Sequence, residues 1–374
     1  MKRTLLNIAT LTALTISLAG CGGGGGGSTP ASSSSTVTLK TISGTAVDGY
    51  ISGATVCLDI NSNDSCDNNE PKAITNSNGV YTFDTNTTGT YPIIVTGGVD
   101  TTTNKSFNGI LKDTIIITND DETVTSTITP LTTIAHEIYQ DKKISNPNYT
   151  PTDAKNTLAQ KLGFDSVSMI SKDPMTDKDV FNKTQQIIQT IELITLNLTD
   201  SNQTQDKQKA FLYLIDSIST TINQSSELNI SKAVNDISTK SFEGKAIVID
   251  TNTKTYVNDF VKEIDSQMKS STTTIASLST IQNNLQSFTD DAKEKIVQNN
   301  TSSLVTIVNQ LKSTTITTDN TPVCTQVITY AKNPTTKECQ SFGTPCDVPT
   351  GWTSCVPVTI SPIDSLRPPQ IPIL

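Results

Sequence analysis

The chain has 374 residues, a formal net charge of −9 and a hydrophobic content of 34%. This length is enough for two domains with a substantial core. The excess of acidic side chains argues against nucleic acid and anionic lipid headgroups as partners, because both carry the same sign of charge.

The first 20 residues have the pattern of a bacterial export signal. Lys2 and Arg3 provide the positive start, and residues 5–18 form an apolar stretch that is too short to span a membrane. The stretch leads into Leu18-Ala19-Gly20-Cys21, which resembles the lipobox of bacterial lipoproteins. The resemblance implies cleavage before Cys21, acyl chains on its sulfur, and attachment to a lipid bilayer through those chains.

Residues 21–39 are predicted to be a flexible tether. Gly22 to Gly27 is an unbroken glycine run, and the segment after it is dominated by Ser and Thr. Such a composition cannot bury a core, so the segment would lift a folded domain off the membrane. Position 22 is Gly and not the Asp that retains some Gram-negative lipoproteins in the inner membrane, which favours the outer membrane, facing the periplasm or the cell surface.

Residues 40–129 are predicted to form an antiparallel β-sandwich. Short segments rich in β-branched residues alternate there with Gly, Asn and Asp turns, at a spacing typical of sandwiches. The predicted strand segments are 37–42, 44–47, 54–58, 79–83, 91–95, 114–118 and 123–128.

The segment from Asp59 to Glu70 has the spacing of a twelve-residue calcium loop. Oxygen-bearing residues stand at the positions by which such a loop wraps one Ca²⁺ ion. The predicted ligands are Asp59, Asn61, Asn63, Ser65, Asp67 and Glu70, with Ser65 contributing its carbonyl. Position 6 is Asp64 where Gly is usual, and the flanks are predicted strands, so the loop is not an EF-hand. The predicted ion is structural; the alternative is a solvated Asn/Asp turn that binds nothing.

Three stretches in this region carry a family resemblance. Residues 44–63, 67–71 and 75–83 resemble a carboxypeptidase regulatory-like (prealbumin-like) domain, and are similar to the B-type repeats of bacterial surface adhesins. The resemblance covers roughly residues 40–100. It implies a β-sandwich module with a calcium loop that acts as a spacer or support and does not catalyse a reaction.

Residues 130–315 are predicted to form an α-helical bundle, because the hydrophobic period changes there from 2 to 3.6. Thr129-Pro130 and Thr150-Pro151 have the pattern of helix starts, and Gly163 that of a helix end. Further apolar stripes run through residues 180–198, 211–222, 257–268, 275–292 and 304–311, with a break near Asn299-Asn300. The fold class predicted for the whole chain is therefore α+β and multidomain.

The cysteines predict disulfides. Six remain beside Cys21, and an even set in an exported protein favours three bonds. Cys57 and Cys66 are neighbours and are expected to pair. The other four lie in a small cysteine-rich module, residues 320–357, and allow three connectivities: Cys324, Cys339, Cys346 and Cys355. A proline-rich tail, residues 358–374, follows.

No catalytic constellation is visible in the sequence. His136 is the only histidine and is expected to be structural or partly exposed, while Asp290-Asp291 is expected to be a solvated helix face. We therefore predict a non-enzymatic surface lipoprotein that binds a protein or glycan, mediates adhesion or scaffolds the envelope. The alternative is a hydrolase of envelope polymers that uses carboxylates of the helical domain, and a polar pocket with two buried acids would favour it.

Overall fold

The computed structural model describes residues 39–199, 203–225, 227–270, 273–313, 329–342, 348–349 and 351–355. The export signal, Cys21, the glycine run and the proline-rich tail lie outside the described residues and stay predictions. Within the described part the chain is a mixed α and β protein, with sheets first, then eight helices, then a small sheet closed by a disulfide.

The N-terminal strands form two main sheets and one small sheet. The strands are β1 (Lys40–Ala46), β2 (Ile51–Ser52), β3 (Thr55–Leu58), β4 (Lys72–Ile74), β5 (Val80–Thr85), β6 (Gly89–Thr96), β7 (Val99–Asp100), β8 (Lys105–Ser106), β9 (Ile110–Ile117) and β10 (Thr123–Ile128). Their orders in the sheets are β10-β1-β5, β4-β3-β6-β9 and β2-β7-β8. Every predicted strand segment overlaps an observed strand, and the first two predicted segments belong to one strand, β1.

One pairing departs from the antiparallel prediction. Strands β1 and β10 run parallel, with Thr41 opposite Thr123 and Ala46 opposite Ile128. The prediction of purely antiparallel pairing is therefore wrong for this pair. The cause lies in residues 118–122, which carry the chain from β9 in one sheet to β10 in the other. The direction of β10 is consequently not set by a hairpin with its neighbour.

The helices begin largely where the sequence places them. Thr129 caps α1 in a capping box with Thr132, Thr150 caps α2, and Gly163 ends α2 in the left-handed conformation at φ 74°. The eight-residue helix α5 and the short hairpin of β11 (Ser241–Phe242) and β12 (Lys245–Ala246) were not predicted. The helices are α1 (Pro130–Ser145), α2 (Pro151–Leu162), α3 (Lys178–Thr195), α4 (Thr204–Gln224), α5 (Ile230–Ile237), α6 (Thr251–Lys269), α7 (Leu278–Val297) and α8 (Leu304–Ser313).

Helix α1 covers the outer edge of strand β9. The hydroxyl of Thr132 donates to the carbonyl of Lys112 at 2.8 Å, and the amide of Lys112 donates to the hydroxyl of Thr133 at 2.9 Å. These bonds satisfy backbone groups that an edge strand would otherwise leave unpaired. One hydrophobic core then runs from Ile42 in β1 to Leu311 in α8, so residue 129 marks a change of secondary structure inside a shared core.

The C-terminal described residues form a small separate sheet. Its strands are β13 (Thr329–Lys332), β14 (Cys339–Phe342) and β15 (Thr353–Ser354), with β13 in the centre. Cys339 and Cys355 form a disulfide, and the Phe342 and Trp352 rings meet edge to face at 5.3 Å. This bond selects one of the three predicted connectivities, whose second pair, Cys324 with Cys346, lies outside the described residues. Among the described helices, none has the length and hydrophobicity needed to span a membrane.

Candidate functional site

The loop between β3 and β4, which carries the predicted calcium ligands, is a tight turn. Cys57 and Cys66 form the predicted disulfide across it. Ser62 and Asp64 take left-handed conformations, at φ 56° and 62°. Asp64 therefore adopts the left-handed backbone conformation for which Gly is usual at this loop position. Asp tolerates this conformation better than most residues.

The first and last loop residues hold the turn together through backbone amides. The buried Asp59 carboxylate accepts the N–H groups of Asn63 at 3.1 Å and Asp64 at 3.0 Å. The Glu70 carboxylate accepts those of Ile60 at 2.8 Å and Asp67 at 2.9 Å. Burial raises the pKa of Asp59, although the two amide bonds work against that rise.

The remaining predicted ligands lie together on the outer side of the loop. The amides of Asn61 and Asn63 both donate to one oxygen of Asp67, at 2.8 and 3.0 Å, and the Ser65 amide donates to Asn63. Within the described residues, no three His, Cys, Asp or Glu side chains are placed to share one metal ion. An ion here would need the two Asn side chains to rotate their oxygens inward, since the amide oxygen and nitrogen exchange places on rotation.

Asp64 ties the loop to strand β9 and helix α1. Lys112 of β9 has a side chain only 3% exposed, and its ammonium lies 2.8 Å from Asp64 and 3.1 Å from Glu137 of α1. Burial lowers the pKa of Lys112, but the two carboxylates outweigh burial and raise it above its ordinary value. The side chain that departs from the calcium pattern therefore has a structural partner.

His136 is buried and structural. Its ring nitrogen lies 2.8 Å from the hydroxyl of Thr114, and burial lowers the pKa of His136 to about 3, with the Lys112 charge adding to the effect. The ring is therefore neutral at physiological pH. Neither His136 nor Thr114 lines the pocket described next, so the pair has no access to a substrate there.

A pocket of about 350 Å³ lies between the β7–β8 segment and helices α3, α4 and α7. Its size is within the range of small-molecule sites. The walls combine apolar and polar side chains, among them Phe107, Ile188, Phe211, Asp48, Asp100 and Gln282. This site was not predicted from the sequence, because its residues come from five distant segments that share no spacing motif.

The inner end of the pocket is acidic. Asp48 and Asp100 are both more than nine-tenths buried. Burial raises the pKa of Asp48 well above its usual range, and the nearby Asp100 and Glu192 carboxylates raise it further. Burial also raises the pKa of Asp100, although hydrogen bonds from Thr102 and Thr103 oppose the rise.

Gln282 of α7 joins the two acidic segments. Its amide nitrogen donates to the Asp48 carbonyl at 2.6 Å and to the Asp100 carboxylate at 2.9 Å. Two buried oxygens nearby, Oδ1 of Asp48 and Oε1 of Gln282, have no hydrogen-bond partner in the part of the chain that the structure describes. Such atoms are costly to bury, and in native proteins a water, an ion or a ligand group is their usual partner.

The mouth of the pocket carries paired charges. Lys105 lies 3.0 Å from Asp290, and Lys293 pairs with Glu192, which also accepts the Gln286 amide at 3.0 Å. Asp291 is exposed and the Asp290 side chain is 38% exposed, which agrees with the predicted solvated helix face, and Asp290 is in addition ion-paired with Lys105 at the mouth of the pocket.

Comparison of the chain with protein-family models, curated proteins and solved structures finds no match. The lipobox and the carboxypeptidase regulatory-like resemblance therefore stay predictions.

Proposed function

We propose that this protein is a lipid-anchored envelope lipoprotein that binds a small ligand in the pocket between β7–β8 and helices α3, α4 and α7. The observation that carries the binding function is the pair of buried, unpartnered oxygens on Asp48 and Gln282, two residues that line the same pocket. A concave site with apolar walls and a few converging polar groups is the usual form of a ligand site.

In this proposal the rest of the chain supports and positions the pocket. The two main sheets act as a sandwich of the carboxypeptidase regulatory-like type, and the helices act as a bundle that closes the pocket. Cys21 would hold the protein on the outer membrane, and the glycine-rich tether would set its distance from the bilayer.

A hydrolase of envelope polymers is the second candidate, because Asp48 and Asp100 are two buried acids in one polar pocket. Hydrogen bonding favours binding instead. Asp100 already accepts from the Thr102 amide at 2.7 Å, from the Thr103 hydroxyl at 3.0 Å and from Gln282, which leaves little capacity for a catalytic water. If the wild-type protein releases soluble fragments from isolated envelopes and Asp48→Asn does not, the result favours the hydrolase.

We also propose that the loop binds Ca²⁺ as a structural ion. The donors would be Asp59, Asn61, Asn63, Ser65, Asp67 and Glu70, and the ion would neutralise carboxylates that now rely on amide donors. The Cys57–Cys66 disulfide and the Lys112–Asp64 pair support the proposal, because both restrain the loop and so reduce the conformational entropy that it would lose on binding the ion.

Calcium is expected to stabilise the folded chain. With a dissociation constant of about 10⁻⁴ to 10⁻³ M, about 10 mM Ca²⁺ adds about 1.4 to 2.7 kcal/mol to the free energy of unfolding. Thermal melting with calcium and with chelator measures the effect. Asp67→Asn should abolish the response and Asp120→Asn, an exposed acid outside the loop, should keep it. Equal melting of the wild-type protein in both conditions would contradict the site.

The anchor is tested at Cys21. Cys21→Ser removes the sulfur that would carry the lipid, so the protein is expected to leave the membrane fraction. Mass spectrometry of the N-terminal peptide should find acyl chains on the wild-type cysteine. Gly22→Asp is the matched control, because it keeps the cysteine and should keep the lipid. Membrane retention of Cys21→Ser, or an unmodified wild-type cysteine, would contradict the proposal.

The binding function is tested by filling the pocket. Ser106 is exposed at the mouth, and Ser106→Trp is expected to obstruct the pocket without disturbing the core. Native mass spectrometry of the full chain, extracted in mild detergent from the cells that make it, should find a small bound molecule in the wild type and none in Ser106→Trp.

Thr82→Trp is the control for this experiment, since Thr82 is an exposed strand residue that does not line the pocket. It should carry the same bound mass as the wild type. An unliganded wild type, or equal occupancy in Ser106→Trp, would overturn the binding proposal.

A further inference from the structure

The pocket lacks hydrogen-bond donors at its inner end. The unpartnered atoms, Oδ1 of Asp48 and Oε1 of Gln282, are both acceptors, and Gln282 is only 3% exposed. Gln282 cannot solve the problem by turning its amide, because its nitrogen is held by Asp48 and Asp100. While Asp48 is ionised, a ligand that satisfies this end must therefore bring N–H or O–H donors.

The charge of the pocket changes from its mouth to its inner end. At the mouth, Lys105 and Lys293 are paired with Asp290 and Glu192. At the inner end, neither Asp48 nor Asp100 has a Lys or Arg within ion-pairing distance among the residues that the structure describes. A cation placed there would oppose the rise in the pKa of Asp48 and hold this side chain as a carboxylate, while an anion would lose hydration there and raise that pKa further.

Part of the pocket wall is apolar. Phe107 and Phe211 meet edge to face with ring centroids 6.1 Å apart, and Ile188 of α3 lines the same space. These side chains offer no hydrogen bonds to the hydroxyl groups of a sugar. They fit a compact apolar group attached to the donor.

We infer that the pocket binds a small organic cation, namely a primary ammonium group on an apolar body, with the ammonium at Asp48 and Gln282 and the body against Phe107, Phe211 and Ile188. This inference rests on the proposed binding function and names its ligand class. An ammonium has three donors and no acceptor, so it matches the two unpartnered oxygens and the acidic inner end. Charge-assisted bonds of this kind are about twice as strong as neutral ones.

Three probes that share one phenyl body separate the ligand classes: 2-phenylethylamine, 2-phenylethanol and 3-phenylpropanoate. Titration calorimetry of the full chain in detergent should give the amine at least tenfold higher affinity than the alcohol, and no binding of the carboxylate. Asp48→Asn should weaken the amine at least tenfold and leave the alcohol unchanged. Asp291→Asn is the matched control, because Asp291 is an exposed acid of α7 that does not line the pocket, and it should change amine binding less than twofold.

The comparison of the three probes on the wild-type protein does not depend on Asp48→Asn, so it holds even if that variant does not fold. Alcohol or carboxylate binding as tight as that of the amine, and blocked by Ser106→Trp, would overturn the cation inference and leave the binding function standing. Absence of any binding that Ser106→Trp blocks would overturn the inference. The binding function itself would be contradicted only if, in addition, the wild-type chain carried no molecule from its cells or Ser106→Trp carried the same molecule.

Discussion

One buried lysine, Lys112, joins the loop between β3 and β4, the edge strand β9 and the first helix. The Lys112 ammonium lies between Asp64 of the loop and Glu137 of α1, and the backbone of the same residue bonds to Thr132 and Thr133. A buried charge is tolerable only when it is paired and hydrogen-bonded, so the position of Lys112 requires all three parts to be in place. The loop conformation and the placement of α1 on β9 are thereby coupled.

The pocket depends on the same arrangement. With α1 fixed on β9, the helical core continues from the sheet core, and helices α3, α4 and α7 lie beside the β7–β8 segment. Gln282 then bridges the Asp48 and Asp100 backbone segments, and Lys105 reaches Asp290. Pockets often form where two structural parts meet, because neither part alone encloses enough volume. Oδ1 of Asp48 and Oε1 of Gln282 have no partner among the described residues, because Asp48 packs against helix α7 with no cation beside it.

Local signals in the sequence predicted much of the fold, and long-range contacts account for what was missed. The starts of α1 and α2 were predicted from Thr129-Pro130 and Thr150-Pro151, because helix capping depends on residues that are close in sequence. The Cys57–Cys66 bond spans only nine residues. By contrast, Gln282 bonds to Asp48 across 234 residues, and no spacing rule connects them. The Asp64–Lys112 pair could not be predicted either, because the loop spacing does not show where the side chain of Asp64, a residue in the left-handed conformation, points.

The central claim is that Lys112 couples the loop, the sheet and helix α1, and a double-mutant cycle with Glu137 measures it most directly. Urea unfolding should show that Lys112→Met lowers the free energy of unfolding by about 3–5 kcal/mol, because it leaves Glu137 buried without a partner. The double variant with Glu137→Met should lose less than Lys112→Met alone, and Lys262→Met, at a lysine 77% exposed, should lose almost nothing. A loss below about 1 kcal/mol for Lys112→Met, or simple additivity of the two single variants, would contradict the account.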